Sequence, residues 1–298
     1  MTPEKTYDCI IVGASPGGLQ AAIYLARYNR KVLIVDRGGG RTFIARRIEN
    51  FLTQTSISGK ELIERGIAQA RSFNAEVIRG TVTNVSKTAS LFSAETAAAT
   101  YAAPFVIAAS GGRENLPQIE NLGPFFGTGF FTCVDCDGYH ATGKKLLVIG
   151  DTDSTVRLAF AVSQMYTRDV TLLLYSWEPP EAYKDEFADA GIRLVIGRPR
   201  RVVGSKQVEA LEMEDGSIIP CERILSDFGF THNDEYLRSL NLRKDGRGRS
   251  FIVNHYFESS LSGLFIVGPL NTGQDQAIIA AGEGAVAAIE INHRLLEL

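Results

Sequence analysis

The sequence predicts an α/β protein of two parallel-sheet units, each a three-layer ββα stack, with the second inserted into the first. Two observations carry that expectation and a third places the chemistry. A strand–turn–helix pattern rich in glycine opens the chain, the same grammar returns at Lys145, and Cys133-Val134-Asp135-Cys136-Asp137 stands between them.

The elements follow in order. Tyr7 to Val12 reads as a short buried strand that enters Gly13-Ala14-Ser15-Pro16-Gly17-Gly18, after which Leu19, Ala22, Ile23 and Ala26 recur at helical spacing. A second strand, Lys31 to Val35, ends in Asp36, an acidic residue about 20 positions beyond the turn. This is the Rossmann-like dinucleotide signature. Glycines let the backbone approach a pyrophosphate, the helix N-terminus offers unpaired N–H groups and a positive dipole end, and the carboxylate meets ribose hydroxyls. Ser15 replaces the middle glycine; it is small enough to keep the approach close, but the match is weaker.

The second unit repeats the pattern. Lys145 to Ile149 is a strand, Gly150-Asp151-Thr152-Asp153-Ser154-Thr155 the turn, Val156, Phe160 and Met165 mark a helix, and Val170 to Leu174 is the next strand. Further on, Phe251 to Val253 and Leu264 to Val267 are strand-like, and Asp275 to Leu296 is a long helix with a small-residue face of Ala277, Ala281, Gly284 and Ala288. Crossings between the units are expected at Ala109-Ser110-Gly111-Gly112 and at the glycine- and charge-rich Lys244 to Arg249. That gives a first domain of residues 1–114 and 247–298 and an inserted domain of 115–246.

Composition narrows the function. Hydrophobic residues are 45% and charged residues 22% of the 298, the balance of a soluble globular protein. A net charge of −3 gives no sign of a nucleic-acid partner. No apolar run of about 18 residues predicts a membrane span, and Met1 to Asp8 lacks the apolar core of a signal peptide, so a cytoplasmic location is expected. Of the four cysteines only Cys133 and Cys136 are close, which suits redox chemistry better than a disulfide scaffold. Zinc would need four ligands. Cys9 lies inside a strand, Cys221 is isolated, and His140, His232, His255 and His293 show no metal spacing apart from His140, four residues after Cys136, so no metal is expected. His140 reads as a packing or hydrogen-bonding residue. In a C-x-x-C pair one thiol ionises below the free value, and Asp137 beside it is placed to move a proton.

These motifs, in this order and over nearly the whole chain, resemble the low-molecular-weight thioredoxin reductase family, in which a flavin domain is interrupted by a nicotinamide domain carrying C-x-x-C-D. Glu49-Asn50-Phe51 is similar to its E-N-Y/F segment, Ala109-Ser110-Gly111 to its first crossover, and Gly229-Phe230-Thr231-His232-Asn233 to its second. Gly263 to Gly268 is similar to its last strand, and Gln276-Ala277 to the R-Q-A that opens its last helix. The resemblance implies FAD held by Gly13, Ser15, Pro16, Gly17, Gly18, Asp36, Arg37, Asn50, Val82, Ala109, Ser110, Gly111, Gly268, Gln276 and Ala277. It implies a homodimer, and a thioredoxin-like protein or a small thiol or disulfide as partner. It also implies that Cys136 faces the flavin, that Cys133 attacks the partner and that Asp137 shuttles the proton. The family turns its inserted domain about the two crossovers, and Gly111-Gly112 and Gly246-Arg247-Gly248 are compatible with hinges.

The departures concentrate in the second unit. The family's nicotinamide turn, G-x-G-x-x-A/G, is here Gly150-Asp151-Thr152, and its phosphate-clamping H-R-R-x-x-x-R is here Tyr175-Ser176-Trp177-Glu178-Pro179-Pro180-Glu181. A charge-assisted hydrogen bond is worth about 1.5–3 kcal/mol, so losing two or three weakens NADPH roughly a thousandfold or more. The family's final G-D is Gly268-Pro269. These losses resemble the branches that do without NADPH, the ferredoxin-dependent flavin thioredoxin reductases and the diflavin-linked disulfide oxidoreductases. The diflavin branch implies a second FAD at Gly150, Thr152, Asp153, Ser154, Tyr175 and Trp177; the ferredoxin branch implies that donor. Three other functions fit the same residues: an NAD(P)H-dependent reductase with a degenerate site, an oxygen-using dithiol oxidase and a non-catalytic flavin redox sensor.

Overall fold

A computed structural model describes residues 5–297. In chain order the parallel strands are β1 (Cys9–Val12), β2 (Val32–Asp36), β3 (Glu76–Arg79), β4 (Phe105–Ala108), β5 (Phe130–Phe131), β6 (Leu146–Gly150), β7 (Val170–Leu174), β8 (Arg193–Ile196), β9 (Arg223–Asp227) and β10 (Leu264–Ile266). The helices are α1 (Pro16–Arg27), α2 (Arg41–Ile44), α3 (Gly59–Ser72), α4 (Val134–Asp137), α5 (Asp153–Met165), α6 (Tyr183–Ala190) and α7 (Ala277–Glu297). They form two compact units, Met1–Arg113 with Thr231–Leu298, and Glu114–Phe230.

The first unit has a parallel sheet in the order β10-β4-β1-β2-β3. Its strands are continuous apolar runs because both faces are covered. Cys9 and Ile11 face a core shared with α1, α3 and α7, while Ile10 and Val12 face a core shared with an antiparallel sheet of Val82–Thr88, Leu91–Thr96 and Thr100–Ala103. The second unit repeats the plan with the order β5-β9-β6-β7-β8. Leu147 and Ile149 pack against the antiparallel strands Pro199–Val203, Ala210–Met213 and Ile218–Pro220, and Val148 packs on the α5 and α6 side. The two three-layer ββα stacks are as the sequence predicts.

Two expectations need correction. The chain returns to the first unit at Thr231, not near residue 247. Tyr236 and Leu237 are buried in the first unit's core, and Ser110 Oγ donates to the Asn233 carbonyl at 2.7 Å, so residues 231–246 already belong there. The crossings Gly112–Glu114 and Phe230–His232 pair with each other, and Gly246-Arg247-Gly248 is a turn inside the first unit, its neighbour Arg249 touching His232 Nδ1 through the carbonyl at 3.1 Å. Phe251 to Val253 is not a strand: Phe251 is buried at 3% exposure but makes only isolated bridges, to Lys244 and Asn271.

Candidate active site

Three places carry the chemistry: the β1–α1 edge, the redox turn, and the β6–α5 edge.

At the first edge, Gly13 has φ +107°, and a Cβ there would lie 2.5 Å from the Ala109 carbonyl oxygen at the end of β4. A Cβ on Gly18 would fall 2.2 Å from the Gly13 carbonyl, so only glycine lets strand and helix meet this closely. Ser15 earns its place by capping: it is the N-cap of α1, its Oγ accepts from Gly18 N–H at 3.4 Å, and Pro16 follows in the first turn. No acidic residue stands in the first turn of α1. The Ala14 N–H donates to Asp36 Oδ1 at 3.0 Å, which anchors the carboxylate at the end of β2 beside the turn.

Other sequence-expected residues gather on this edge. Ser110 Oγ bonds the Tyr236 hydroxyl at 2.9 Å, and Gly111, at φ +61°, accepts from the Asn233 N–H at 2.9 Å. Asn50 Nδ2 donates to Gln276 Oε1 at 3.0 Å, tying its loop to the start of α7 at Ala277. Gly268 has φ +73° and donates its N–H to Glu283, a buried carboxylate that the sequence reading missed. Glu283 also accepts from Asn271 Nδ2 at 2.9 Å. Burial pushes its carboxyl above the ordinary range, against those two hydrogen bonds. Val82 is a core residue of the antiparallel sheet, and Arg37 is exposed on the rim after β2. The glycine approach, the capped helix and the anchored Asp36 fit a dinucleotide whose diphosphate meets the α1 N-terminus.

The redox turn lies in the second unit, between β5 and β6. Cys133 and Cys136 form a disulfide with Cα atoms 5.3 Å apart. Cys133 is the N-cap of α4, and its Sγ accepts from the Cys136 N–H at 3.1 Å. Both cysteines and Asp137 are half-buried, and Asp135 is exposed. Gly138 closes the turn because a Cβ there would meet the Tyr166 ring at 2.7 Å. His140 stacks on Phe131 with ring centroids 5.8 Å apart and lies tilted against Tyr139 with centroids 4.1 Å apart. The remaining cysteines are buried in cores, and burial lifts the Cys221 thiol to about 12 and that of Cys9 further. No group of residues suited to a metal ion occurs among the described residues.

The β6–α5 edge is electrostatically different. Asp151 Oδ1 accepts from Ser176 N–H at 2.8 Å and Trp177 N–H at 2.7 Å, and Oδ2 from the Ser176 hydroxyl at 2.8 Å. Burial pushes this carboxyl upward, but those hydrogen bonds prevail and hold it below the ordinary range. Asp153, in the first turn of α5, accepts from the Tyr183 hydroxyl at 2.6 Å and Arg157 Nε at 2.7 Å, and both lower its carboxyl. Asp227, at the end of β9, accepts from Thr155 at 3.1 Å. The N-cap position of α5, Thr152, makes no side-chain cap bond.

Tyr175 packs on Phe228 with centroids 5.1 Å apart, and its buried hydroxyl lacks a partner. Desolvation lifts that phenol to about 12. Trp177 is half-buried against the α5–α6 core. Both rings are therefore committed in part to the unit's own packing. The hydrogen bonds of Asp151 and Asp153 were not legible in the sequence, although their charges were.

Comparison with known proteins agrees with this geometry. The profile of the family described as pyridine nucleotide-disulphide oxidoreductase matches residues 7–284. The chain is 28% identical to the thioredoxin reductase of Bacillus subtilis, covering 100% of this chain and 98% of that protein. It is 27% identical to the thioredoxin reductase of Listeria monocytogenes, covering 95% and 92%. Among solved structures, HlmI superposes with a TM-score of 0.91 at 25% identity, covering 98% of this chain and 93% of that one. The thioredoxin reductase of Streptococcus pyogenes superposes with a TM-score of 0.90 at 25% identity, covering 98% and 99%.

Proposed function

Because this chain belongs to the pyridine nucleotide-disulphide oxidoreductase family and is a flavin-dependent disulfide oxidoreductase, we propose that it works without NADPH as direct donor, in the manner of the family's NADPH-independent branches. FAD binds at the β1–α1 edge, and electrons move between it, the Cys133–Cys136 pair and an external thiol or disulfide. The observation that carries this reading is Asp151. Its carboxylate takes the Ser176 and Trp177 amides, and it stands just ahead of α5, with Asp227 bonded to Thr155 and the Arg157-paired Asp153 in that helix's first turn. A diphosphate brought there meets carboxylates where the first edge offers none in the helix's first turn.

The flavin supplies or accepts the electron pair; the residues do the rest. When the disulfide is reduced, two electrons and two protons convert Cys133 and Cys136 to thiols. The Cys136 N–H, already aimed at Cys133 Sγ, favours the thiolate there and makes Cys133 the attacking sulfur. Attack on a partner disulfide forms one S–S bond and expels one partner thiolate. Attack by Cys136 on Cys133 Sγ then restores the internal bond and releases the second. Asp137 takes and returns the protons. With an external dithiol the same steps run in reverse.

The reductase relatives support a thioredoxin-like partner, and homodimerisation follows the same likeness. No helix among the described residues is long and apolar enough to cross a membrane, which supports the cytoplasmic reading. The inward packing of Tyr175 and Trp177 weighs against a second FAD and toward one flavin per chain with a ferredoxin-type or thiol donor. Anaerobic mixing with NADPH tests the reading: the flavin band stays oxidised, whereas fast bleaching ends it. Peroxide release in step with oxidation of a small dithiol identifies thiols as the donor, and reduction by ferredoxin identifies that branch.

A further inference from the structure

The first edge holds a charge arrangement that the glycine turn does not explain, and its role rests on FAD binding there. α1 and α7 run parallel with their N-termini together. A Cβ on Gly17 would lie 2.9 Å from the Ala280 carbonyl oxygen and one on Gly284 would lie 2.0 Å from that of Gly17, while beyond the far end of α1 Arg30 Nε donates to Asn292 Oδ1 at 2.8 Å. Asp275 and Gln276, just ahead of α7, therefore stand at the rim beyond the α1 N-terminus. An acidic residue occupies that rim where the resemblance has the arginine of R-Q-A.

Arg41 answers it. This residue opens α2 after Gly38, Gly39 and Gly40, whose φ angles of +74°, +77° and +95° turn the chain out of β2, the neighbour of β1. Its Nη1 lies 4.0 Å from Asp275 Oδ2, and the side chains are 23% and 32% exposed. Two helix N-termini contribute about half a positive charge each, and Asp275 offsets about that sum. A diphosphate arriving there needs a further cation.

We propose that Arg41 supplies the counter-charge for the dinucleotide's diphosphate and that Asp275 positions its guanidinium at the α1 N-terminus.

Apoprotein titrated with FAD and with riboflavin, followed by flavin fluorescence, tests this, because riboflavin has no diphosphate. Arg41→Gln weakens FAD by about ten- to a hundredfold, the range of one charge-assisted hydrogen bond, and leaves riboflavin within about twofold. Adding Asp275→Arg to Arg41→Gln returns a cation from the α7 side and restores FAD to within about fivefold of wild type. The proposal falls if Arg41→Gln binds FAD like wild type, if both flavins weaken alike, or if the double variant does not recover. Wild-type apoprotein that takes neither flavin is a different failure: it removes the FAD reading itself.

Discussion

Residues 13–18 and 150–155 make the same connection, from a buried parallel strand through glycine into a helix, yet the two edges carry different charge. At the first, a serine caps α1 and its first turn is free of acid. At the second, Asp153 occupies the first turn of α5, and Asp151 satisfies backbone amides of the neighbouring loop. A repeated fold therefore does not by itself repeat the charges at its ligand edge. The parallel sheet guarantees the crevice, and a few charges at its rim decide what enters.

The largest effect separates the redox turn from the flavin edge. Cys136→Ser lowers disulfide or dithiol turnover at least about a thousandfold, while the visible spectrum of bound flavin persists because the first unit is untouched. Loss of flavin in that variant would contradict the independence of the two sites.

The glycines differ next. Gly13→Ala presses a Cβ into a backbone carbonyl at a positive φ, so the loss of about 3 kcal/mol cannot be relieved by a neighbour's substitution. Gly150→Ala meets the Thr155 side chain at 2.2 Å and costs about 1–2 kcal/mol, part of which Thr155→Ala returns. Denaturant melts of Gly13→Ala, Gly150→Ala, Thr155→Ala and the Gly150→Ala/Thr155→Ala double variant check the contrast.

The two edges also respond oppositely to pH. Asp275 and Glu283 are raised by burial, so ionising them in the folded first unit is unfavourable. As pH falls from neutral through their folded values these two groups add stability to the first unit, a gain complete near the ordinary carboxylate range of about 4. Glu76 of the same unit is lowered by its hydrogen bond from Tyr7, and Glu258, despite its burial, by that from Arg294; both lose their contribution only as pH falls below about 4.3. Asp151, despite its burial, is lowered by its hydrogen bonds, so its contribution persists above the unfolded aspartate value of about 3.9 and is lost as pH falls through the lower folded one. Melts of apoprotein from pH 7 to about 5.5, above the range where the lowered glutamates of both units begin to lose their contribution, should raise the first unit's transition and leave unchanged that of Trp177, the sole tryptophan, in the second. Parallel shifts would refute the contrast.

The smallest effect concerns the caps. Ser15→Ala costs about 1 kcal/mol, whereas Thr152→Ala, which removes no cap bond, costs a few tenths at about the limit of measurement.

Periodicity and glycine spacing were enough to read β1, β2, β6, β7, β10, α1, α5, α7 and both edges, because both faces of a parallel strand are buried and leave an unbroken apolar run, but they also read a strand at Phe251 to Val253 that does not form. They misplaced the second crossing. Lys244 to Arg249 has the composition of a linker, but burial of Tyr236 and Leu237 had already returned the chain to the first core. The likeness at Gly229 to Asn233 was the better guide, since it compared a specific junction rather than a composition. Ser15 looked like a weakened glycine until its hydroxyl was seen capping α1.

Local order alone determined the two dinucleotide-type units, the redox pair and the acidic residues after β7, since each is written within a few neighbouring residues. Only the tertiary structure decided that Asp151 holds the Ser176 and Trp177 amides, that Glu283 supports Gly268, and that Arg41 meets Asp275. Those partners are far apart in the chain, and only the parallel stacking of strands and helices brings their charges within reach.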